Sequence, residues 1–600
     1  MITLLCLCLV TLFSLWGYGV SLQSFFTVCQ NISAPNKLRD NYLDSIDKKN
    51  KTFIFTSDYC LLGLFFVVFS ASLINLFFPL SNFSGLVTLT LGVLLSLYFV
   101  YKRFVSLRFS QLALIITCSI FIFLKIQDGF FYDTGLYRMP MLKWIEGYPI
   151  VFGLANLHGR FGFNSAWLMF HGALRLPFFG WNTLVIGEVT IFVLGLWIMA
   201  EGLFTRWHKL PKSIQFLSAS ILIIYLLQIL VSGITVETTD NPANILGLIT
   251  VVYFLEFLGD QNNNIFQVDR IYLILISCAL AITIKVSMLP FVLLPLIALV
   301  INLKSMKISR GLVICLSIVT SYFCLWLARN LILSGCLVYP VSQTCFTSLD
   351  WAVTAEQAII EKNSVVGWAR SPHVDSYLQT LKNYDWLSEW FKRMIKHQIF
   401  LLMIVAVGVN ILLSIIIAIF RYVLGNFKYK NLFPMIILFT KFLFPTTLMG
   451  ILLWFFGGPD PRFAWSFLLL ISVPFIAICL NLLEFNKIAN FSLNTKRELN
   501  NVFFKSSCIS LIIVILLANP QFKKPLQWTN SPLNKNKITM ENLMDSTILV
   551  SIPYDSYQCW DMQPPCTPHY SGAPRVYNLR ELHLTTRWIY PTFQHNLLSN

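Results

Sequence analysis

Residues 83–103 are FSGLVTLTLGVLLSLYFVYKR, in which an uncharged apolar run, residues 83–101, is followed at once by Lys102 and Arg103. A helix needs about 20 mostly apolar residues to cross a bilayer, and this run has that length. Similar runs recur through the chain, which has 600 residues and is 56% hydrophobic but only 12% charged. A soluble domain carries about 25% charged residues. The sequence therefore predicts an all-α polytopic membrane protein.

The apolar runs predict roughly 12–14 transmembrane helices. The candidate segments are 2–20, 59–79, 83–101, 110–126, 181–204, 213–233, 243–258, 271–286, 287–303, 311–328, 398–420, 432–456, 463–484 and 503–519. Residues 271–303 are expected to form a tight helical hairpin with a break near Pro290 and Pro295, because one long helix would reverse the orientation of all later loops.

The charges predict how the chain is oriented. The net charge is +16, and the basic residues cluster in short connectors between apolar runs. Such connectors are typical of cytoplasmic loops, so the positive charge is explained by membrane topology. We therefore expect the partners to include membrane lipids and no nucleic acid. If the loop after the fourth span lies outside, the basic connectors all fall inside. The segments left outside are 127–180, 234–242, 329–397, 457–462 and 520–600.

This orientation predicts six regions. They are N-terminal transmembrane helices (1–126), an extracytoplasmic loop of catalytic type (127–180), transmembrane helices (181–328), an extracytoplasmic loop with an amphipathic helix (329–397), transmembrane helices (398–519) and a small extracytoplasmic tail (520–600). The amphipathic helix would place Trp386, Trp390 and Met394 on one face and lie on the outer leaflet. The stretch ILVSIPYDSYQCW, residues 548–560, predicts a short strand in the tail.

Four of the 14 cysteines fall in the segments predicted to lie outside. They are Cys336, Cys345, Cys559 and Cys566. Four cysteines allow three pairings, and the short spacings favour Cys336–Cys345 and Cys559–Cys566 in an oxidising compartment. No metal site is expected at these cysteines, since only His569 is near and no paired CxxC spacing occurs. We identify no certain cofactor and leave a requirement for a divalent metal open.

Asp133 follows the fourth predicted span, in the stretch YDTGLY. A carboxylate at a membrane boundary is partly desolvated, which is expected to raise its pKa and make it a better proton acceptor. The alternative is a helix N-cap, because Asp-Thr-Gly before LYRMPMLKWI is also typical of a helix start. The two roles are compatible.

A second polar stretch is NLHGRFGFNSAW, residues 156–167. Arg160 suits a phosphate or carboxylate, His158 can donate to a phosphate oxygen or relay a proton, and Asn164 adds a further polar group. The alternative is a polar loop held by its own hydrogen bonds.

Other ionisable groups are predicted at the outer ends of spans or within them. Asp240 precedes Pro242 and is expected to cap a helix, Arg329 ends a span, and Asp460 and Arg462 share an external turn. Lys285 and Lys441 lie in apolar runs, where a lysine costs about 2.5–3.5 kcal/mol on insertion scales. Both lysines are therefore candidate partners for an anionic group inside the bundle.

One carboxylate surrounded by cations suits the transfer of a sugar from a polyprenyl phosphate. The phosphate leaving group needs no general acid, so one base and several cations suffice. A glycosidase would instead need two carboxylates at a fixed separation.

The motifs YDTGLY, NLHGRFGFNS, TIKVS, RNLILSGCLVYP, PDPRFAW and CWDMQPPCTP resemble a family of bacterial multi-pass proteins without assigned function. The position of Asp133, in an early external loop, resembles the plan of GT-C superfamily glycosyltransferases. Thr134 stands where protein mannosyltransferases carry Glu, and Arg138 where the unassigned family is expected to carry His.

The resemblance to GT-C enzymes implies a glycosyltransferase of the bacterial inner membrane with its active face outside. Asp133 would be the general base, and Arg329, Arg462 or Lys285 would bind the donor phosphate. The partners implied are a lipid-linked sugar donor and a glycan, lipid or protein acceptor of the cell envelope. The alternatives are an envelope polysaccharide polymerase or ligase, and a non-enzymatic lipid or glycan transporter, which would instead show broken helices and ionisable groups at the membrane midplane.

Overall fold

A computed structural model describes most of the chain. The described residues are 2–31, 53–54, 56–81, 83–102, 105–106, 109–126, 132–180, 182–234, 239–260, 268–304, 309–372, 377–423, 432–483, 538–542, 549–553, 558–564 and 566.

The described residues form a helical bundle. Its α-helices are Ile2–Asn31, Ser57–Ile74, Ser84–Tyr101, Phe109–Phe123, Met139–Gly147, Leu154–Leu157, Ala166–Ala173, Asn182–Glu201, Lys212–Ser232, Asp240–Gly259, Arg270–Ile284, Leu293–Lys304, Arg310–Ser334, Ala355–Arg370, Trp386–Lys396, Gln398–Val423, Leu432–Leu438, Phe444–Gly457, Trp465–Leu470 and Val473–Leu483. Two small strand pairs accompany the helices: Phe53–Ile54 with Val105–Ser106, and Ile538–Asn542 with Leu549–Pro553. The tail thus contains a hairpin where the sequence predicted one strand.

Eleven helical segments of the described chain are long and apolar enough to span a membrane. Two shorter apolar helices, Ser110–Phe123 and Arg270–Ile284, match two further predicted spans. The prediction of an all-α polytopic membrane protein is confirmed. The predicted span 503–519 lies outside the described residues.

The long helices connect two ends of the bundle. Asp58 lies in the first turn of helix Ser57–Ile74 and Asn75 caps its other end, so a rise of 1.5 Å per residue separates them by about 25 Å. We call these the Asp58 end and the Asn75 end. Arg329 donates to Asn75 Oδ1 over 3.1 Å, so the last turns of helix Arg310–Ser334 lie at the Asn75 end.

The predicted hairpin in residues 271–303 is present. Helix Arg270–Ile284 stops at Lys285, whose backbone is extended (φ −152°, ψ 118°), and a 3-10 turn with Pro290 follows. The chain then returns, because Ser309 Oγ lies 3.4 Å from Tyr272 Oη near the start of the first helix. The break therefore lies at Lys285, slightly before the prolines.

A buried network of five charged side chains occupies the Asp58 end. Its members are Asp58, Glu201, Arg206, Glu256 and Arg270, all of them buried. Arg270 contacts Asp58 Oδ2 at 2.8 Å and Glu256 Oε2 at 3.0 Å. Arg206 contacts the other Glu256 oxygen at 3.1 Å. The network joins the starts or ends of several helices, so we expect it to fix how they pack.

Helices Ile2–Asn31 and Ser57–Ile74 pack with their backbones in contact. A Cβ atom on Gly19 would lie 1.7 Å from the Tyr59 carbonyl oxygen, and one on Gly63 would lie 1.8 Å from that of Leu15. Backbone atoms cannot move aside as a flexible side chain can. Small residues at such crossings are typical of membrane helices, where close van der Waals packing drives association.

We expect Gly63→Ala to lower the free energy of unfolding by about 1–3 kcal/mol, because the added methyl group forces the two helices apart. Thermal melting of the purified protein in detergent measures the change. Gly408→Ala is the matched control, since a Cβ there meets no atom within 4 Å. Equal melting temperatures for the two variants would contradict the close-packing interpretation.

The segment between helices Arg310–Ser334 and Gln398–Val423 packs on the Asn75 end. It contains a disulfide between Cys336 and Cys345 and the predicted amphipathic helix, observed at Trp386–Lys396. The apolar face of that helix packs on protein, where Trp390 Nε1 donates to the Pro459 carbonyl over 2.8 Å. The expectation that this face meets the outer leaflet is therefore wrong.

Candidate functional site

Asp133 and Arg138 are brought together by a π-helical turn. The turn spans Thr134–Arg138, and Met139 N–H donates to Thr134 O, five residues back. This spacing places Asp133 and Arg138 side by side, with Arg138 Nη2 3.6 Å from Asp133 Oδ2. The Asp133 side chain makes no capping hydrogen bond, so the structure does not support the N-cap interpretation.

Asp240 and Lys285 form a second ion pair at the Asn75 end. Lys285 lies between the two arms of its hairpin, while Asp240 is the first residue of helix Asp240–Gly259, whose N-cap is Thr239. The carboxylate of Asp240 therefore binds a lysine, and the expectation that it only caps a helix is wrong. The expectation that Lys285 pairs with an anionic group is confirmed.

Arg462 contacts Asp133 of the first pair and lies near Lys285 of the second, because both cations pack on the ring of Phe463. Its Nη1 lies 3.4 Å from Asp133 Oδ2, and its Nε lies 3.8 Å from Asp460 Oδ2. The ring of Phe463 lies 4.9 Å from the Arg462 guanidinium carbon and 3.7 Å from Lys285 Nζ. We call the six residues Asp133, Arg138, Asp240, Lys285, Asp460 and Arg462 the charge cluster.

The charge cluster is partly open to solvent. The side chains of Asp133, Lys285 and Arg462 retain 21%, 22% and 28% of their exposure. Arg138 retains only 3%. Arg138 therefore contacts Asp133 from the buried side, while the charged groups of Asp133, Lys285 and Arg462 are partly accessible to solvent.

The four nearby cations decide the pKa of Asp133. Burial is the largest influence and alone would raise this pKa, but Arg138 and Arg462, together with Arg160 and Lys285, lower it below its ordinary value. The expectation of a raised pKa is wrong, because partial desolvation was considered without the arginines that the fold supplies. Near neutral pH Asp133 is an ionised carboxylate.

Arg160 lies beside the cluster and contacts a different carboxylate. Its Nε is 2.8 Å from Glu361 Oε1. Glu361 lies on helix Ala355–Arg370, which also carries Trp368, whose ring lies 4.8 Å from the Arg462 guanidinium carbon. Helix Ala355–Arg370 therefore contacts both Arg160 and Arg462.

Three predicted site residues lie outside the charge cluster in buried contacts of their own. Arg329 donates to Ser72 O and Asn75 Oδ1 over 3.1 Å each, and to Asn164 Oδ1 over 3.4 Å. His158 Nδ1 accepts from the Arg160 backbone N–H over 3.1 Å. These contacts favour the interpretation of a loop held by its own hydrogen bonds.

Lys441 is placed differently from the expectation. It lies in the π-helical turn Phe439–Leu443 and is exposed on the outside of the bundle. The expectation that it pairs with an anionic group inside the bundle is therefore wrong.

Arg138, Glu361 and Trp368 are the site residues that the sequence did not identify. The α-helical rule pairs residues three or four apart, whereas a π turn pairs positions five apart. Glu361 and Trp368 come from an ordinary amphipathic segment, and no local signal distinguishes them.

The described residues do not form a recognisable metal site. Within the described ranges, no group of three or more His, Cys, Asp or Glu side chains is arranged to hold a metal ion. The carboxylates of the charge cluster instead face arginine and lysine.

The helices and the charge cluster define a multi-pass helical membrane protein with a polar site at one end of its bundle. The chain belongs to the family described as Domain of unknown function (DUF8201), which matches residues 1–469. No curated protein and no solved structure matches the chain.

Proposed function

We propose that this protein is a membrane glycosyltransferase that moves a sugar from a polyprenyl-phosphate-linked donor to a cell-envelope acceptor. The observation that carries the proposal is a partly exposed carboxylate, Asp133, in contact with Arg462 and close to Lys285. Cations at this position can hold the phosphate as it gains charge in the transition state, and the carboxylate can accept the proton of the acceptor hydroxyl.

Donor binding would also change the proton affinity of Asp133, the proposed base. In the free protein Arg462 stabilises the ionised form of Asp133 and weakens it as a base. A phosphate bound to Arg462 adds negative charge next to the carboxylate, which raises the proton affinity of Asp133. Asp133 thus becomes a stronger base when the donor is present.

We further propose that the charge cluster faces the outside of the bacterial inner membrane. Cys336 and Cys345 are disulfide-bonded beside the end of helix Arg310–Ser334. The second disulfide, Cys559–Cys566, belongs to a loop that contacts Gly135. Both disulfides therefore lie at the Asn75 end, and disulfides persist in oxidising compartments. The basic residues Lys102 and Lys304 lie at the C-terminal ends of helices Ser84–Tyr101 and Leu293–Lys304. Both helices run to the opposite end, since Val105 pairs with Phe53 close to Asp58, and Ser309 lies beside Tyr272 near Arg270.

A polysaccharide polymerase or ligase is the second candidate. Helix Ala355–Arg370 contacts both Arg160 and Arg462, as expected of a loop that binds a long glycan beside the reacting groups. A transporter is less well supported, because the described charge clusters lie at the two ends of the helices and not at the midplane.

We expect Arg462→Gln to weaken binding of undecaprenyl phosphate about tenfold to hundredfold, since hydrogen bonds to charged groups contribute about 1.5–3 kcal/mol. Native mass spectrometry of the purified protein with this lipid measures the binding. Lys392→Gln is the control, because Lys392 is exposed and pairs only locally with Glu389. Equal binding by Arg462→Gln and the wild type, with both proteins folded, would contradict the phosphate role.

A further inference from the structure

The loop closed by the Cys559–Cys566 disulfide contacts the turn that carries Asp133. Trp560 N–H donates to the Gly135 carbonyl over 2.9 Å. Gln558 Nε2 donates to the Tyr132 carbonyl over 2.7 Å, a contact across 426 positions of sequence. The two acceptors flank Asp133 on either side. Residues from a distant part of the chain therefore hydrogen-bond to the backbone on both sides of Asp133, the proposed general base.

The sequence explains why the Gly135 carbonyl needs such a partner. In the π turn each carbonyl accepts from the residue five positions later, as Thr134 O does from Met139 N–H. The corresponding donor for Gly135 is Pro140, which has no N–H. A buried carbonyl without a partner is costly. The N–H of Trp560 supplies the hydrogen bond that Pro140 cannot make.

Side-chain packing adds to this hydrogen bond. The Trp560 indole lies against Gly135, where a Cβ would be 2.4 Å from Trp560 Cε2. Trp560 itself has φ of 47°, a left-handed conformation that is rare for a bulky residue. Cys559, directly before it, is buried and bonded to Cys566, so the disulfide closes the loop that holds this conformation.

We infer that Trp560 and its disulfide-closed loop are a positioning element for Asp133. The loop completes the hydrogen bonding of the π turn and so fixes where the carboxylate stands relative to Arg138 and Arg462. The structural part of this inference is independent of any reaction. Its consequence for the transfer rate rests on the proposed function, since misplacing a reacting group by about 1 Å can cost 10²-fold.

Hydrogen–deuterium exchange of peptides that cover residues 132–140 tests the positioning in the full-length protein. We expect exchange to be at least tenfold faster in Trp560→Ala and in Cys559→Ser/Cys566→Ser, because the turn opens more often. Gly135→Ala tests the same contact, because the added methyl group would clash with the Trp560 indole. Its matched control is Gly147→Ala, where a Cβ meets nothing within 4 Å. Cys324→Ser, at an exposed free thiol, controls for cysteine removal.

Two outcomes overturn the inference. One is unchanged exchange in all three loop-contact variants. The other is equal acceleration in the Gly147→Ala control. Sugar transfer by the same proteins separates this inference from the proposed function. Positioning predicts a lower kcat with retained binding of undecaprenyl phosphate, since Arg462 and Lys285 are unaltered. Faster exchange together with no transfer activity in the wild type would refute the proposed function alone and leave the positioning role supported.

Discussion

Asp133→Asn is expected to lower sugar transfer about 10²- to 10⁴-fold, the range contributed by a positioned general base. The amide cannot accept the acceptor proton, although it occupies nearly the same volume between Arg138 and Arg462. Mass spectrometry of envelope glycans in cells that depend on the variant measures the loss. Asp133→Glu should recover part of the activity, because it restores the carboxylate.

Asp460→Asn is the matched control for this substitution. Asp460 is a second partly exposed carboxylate of the charge cluster, but its Oδ1 accepts from the Arg462 backbone N–H over 3.0 Å, and an asparagine side chain keeps that bond. We expect only a small change in transfer. If Asp133→Asn cells made normal glycans at normal protein levels, Asp133 would not be the base.

The pH dependence gives an independent check of the same residue. The folded pKa of Asp133 is lowered, and its unfolded value is about 3.9. Its ionised contacts therefore contribute stability above pH ~4, and that stability is lost only as the pH falls through the lower folded pKa. In the protein without donor, Asp133 stays ionised between pH 5 and 8, so its titration should add no slope to the melting profile over this range.

Arg270→Met is expected to destabilise the protein by about 3–5 kcal/mol, the cost of removing one partner from a buried ion pair. The substitution leaves Asp58 and Glu256 buried with less positive charge nearby, since Arg270 lies 2.8 Å and 3.0 Å from their oxygens. Thermal melting or unfolding in mixed micelles measures the loss.

Arg310→Met is the control, because Arg310 is an exposed residue at the start of helix Arg310–Ser334. The double variant Arg270→Met/Asp58→Leu should melt above the single variant, as removing both partners leaves less uncompensated charge. A single variant that melts like the wild type would show that the buried network does not hold the Asp58 end together.

The bundle was largely predictable from sequence, whereas the site was predictable only in part. Apolar runs of about 20 residues report membrane spans directly, and thirteen of the predicted spans coincide with observed apolar helices. The sequence also identified Asp133, Lys285 and Arg462 as candidates. It did not show that they meet, because they lie in three segments separated by several helices.

The remaining differences have physical causes outside any local pattern. The π turn changes the pairing interval, so Arg138 was missed as the partner of Asp133. The pKa of Asp133 depends on cations that come from distant segments. The contact between Trp560 and Gly135 joins opposite parts of the chain, and only the missing N–H of Pro140 hints at it in the sequence.

The five-residue separation of Asp133 and Arg138 has a consequence for biogenesis. Ribosomes add about 5–20 residues per second, so synthesis reaches Arg462 on the order of tens of seconds after Asp133. Arg138 emerges together with Asp133, so it is available to pair with that carboxylate before the later helices are made. We therefore expect Arg138 to be the first cation that pairs with Asp133 during membrane insertion, and Arg462 to join them only when its own segment folds.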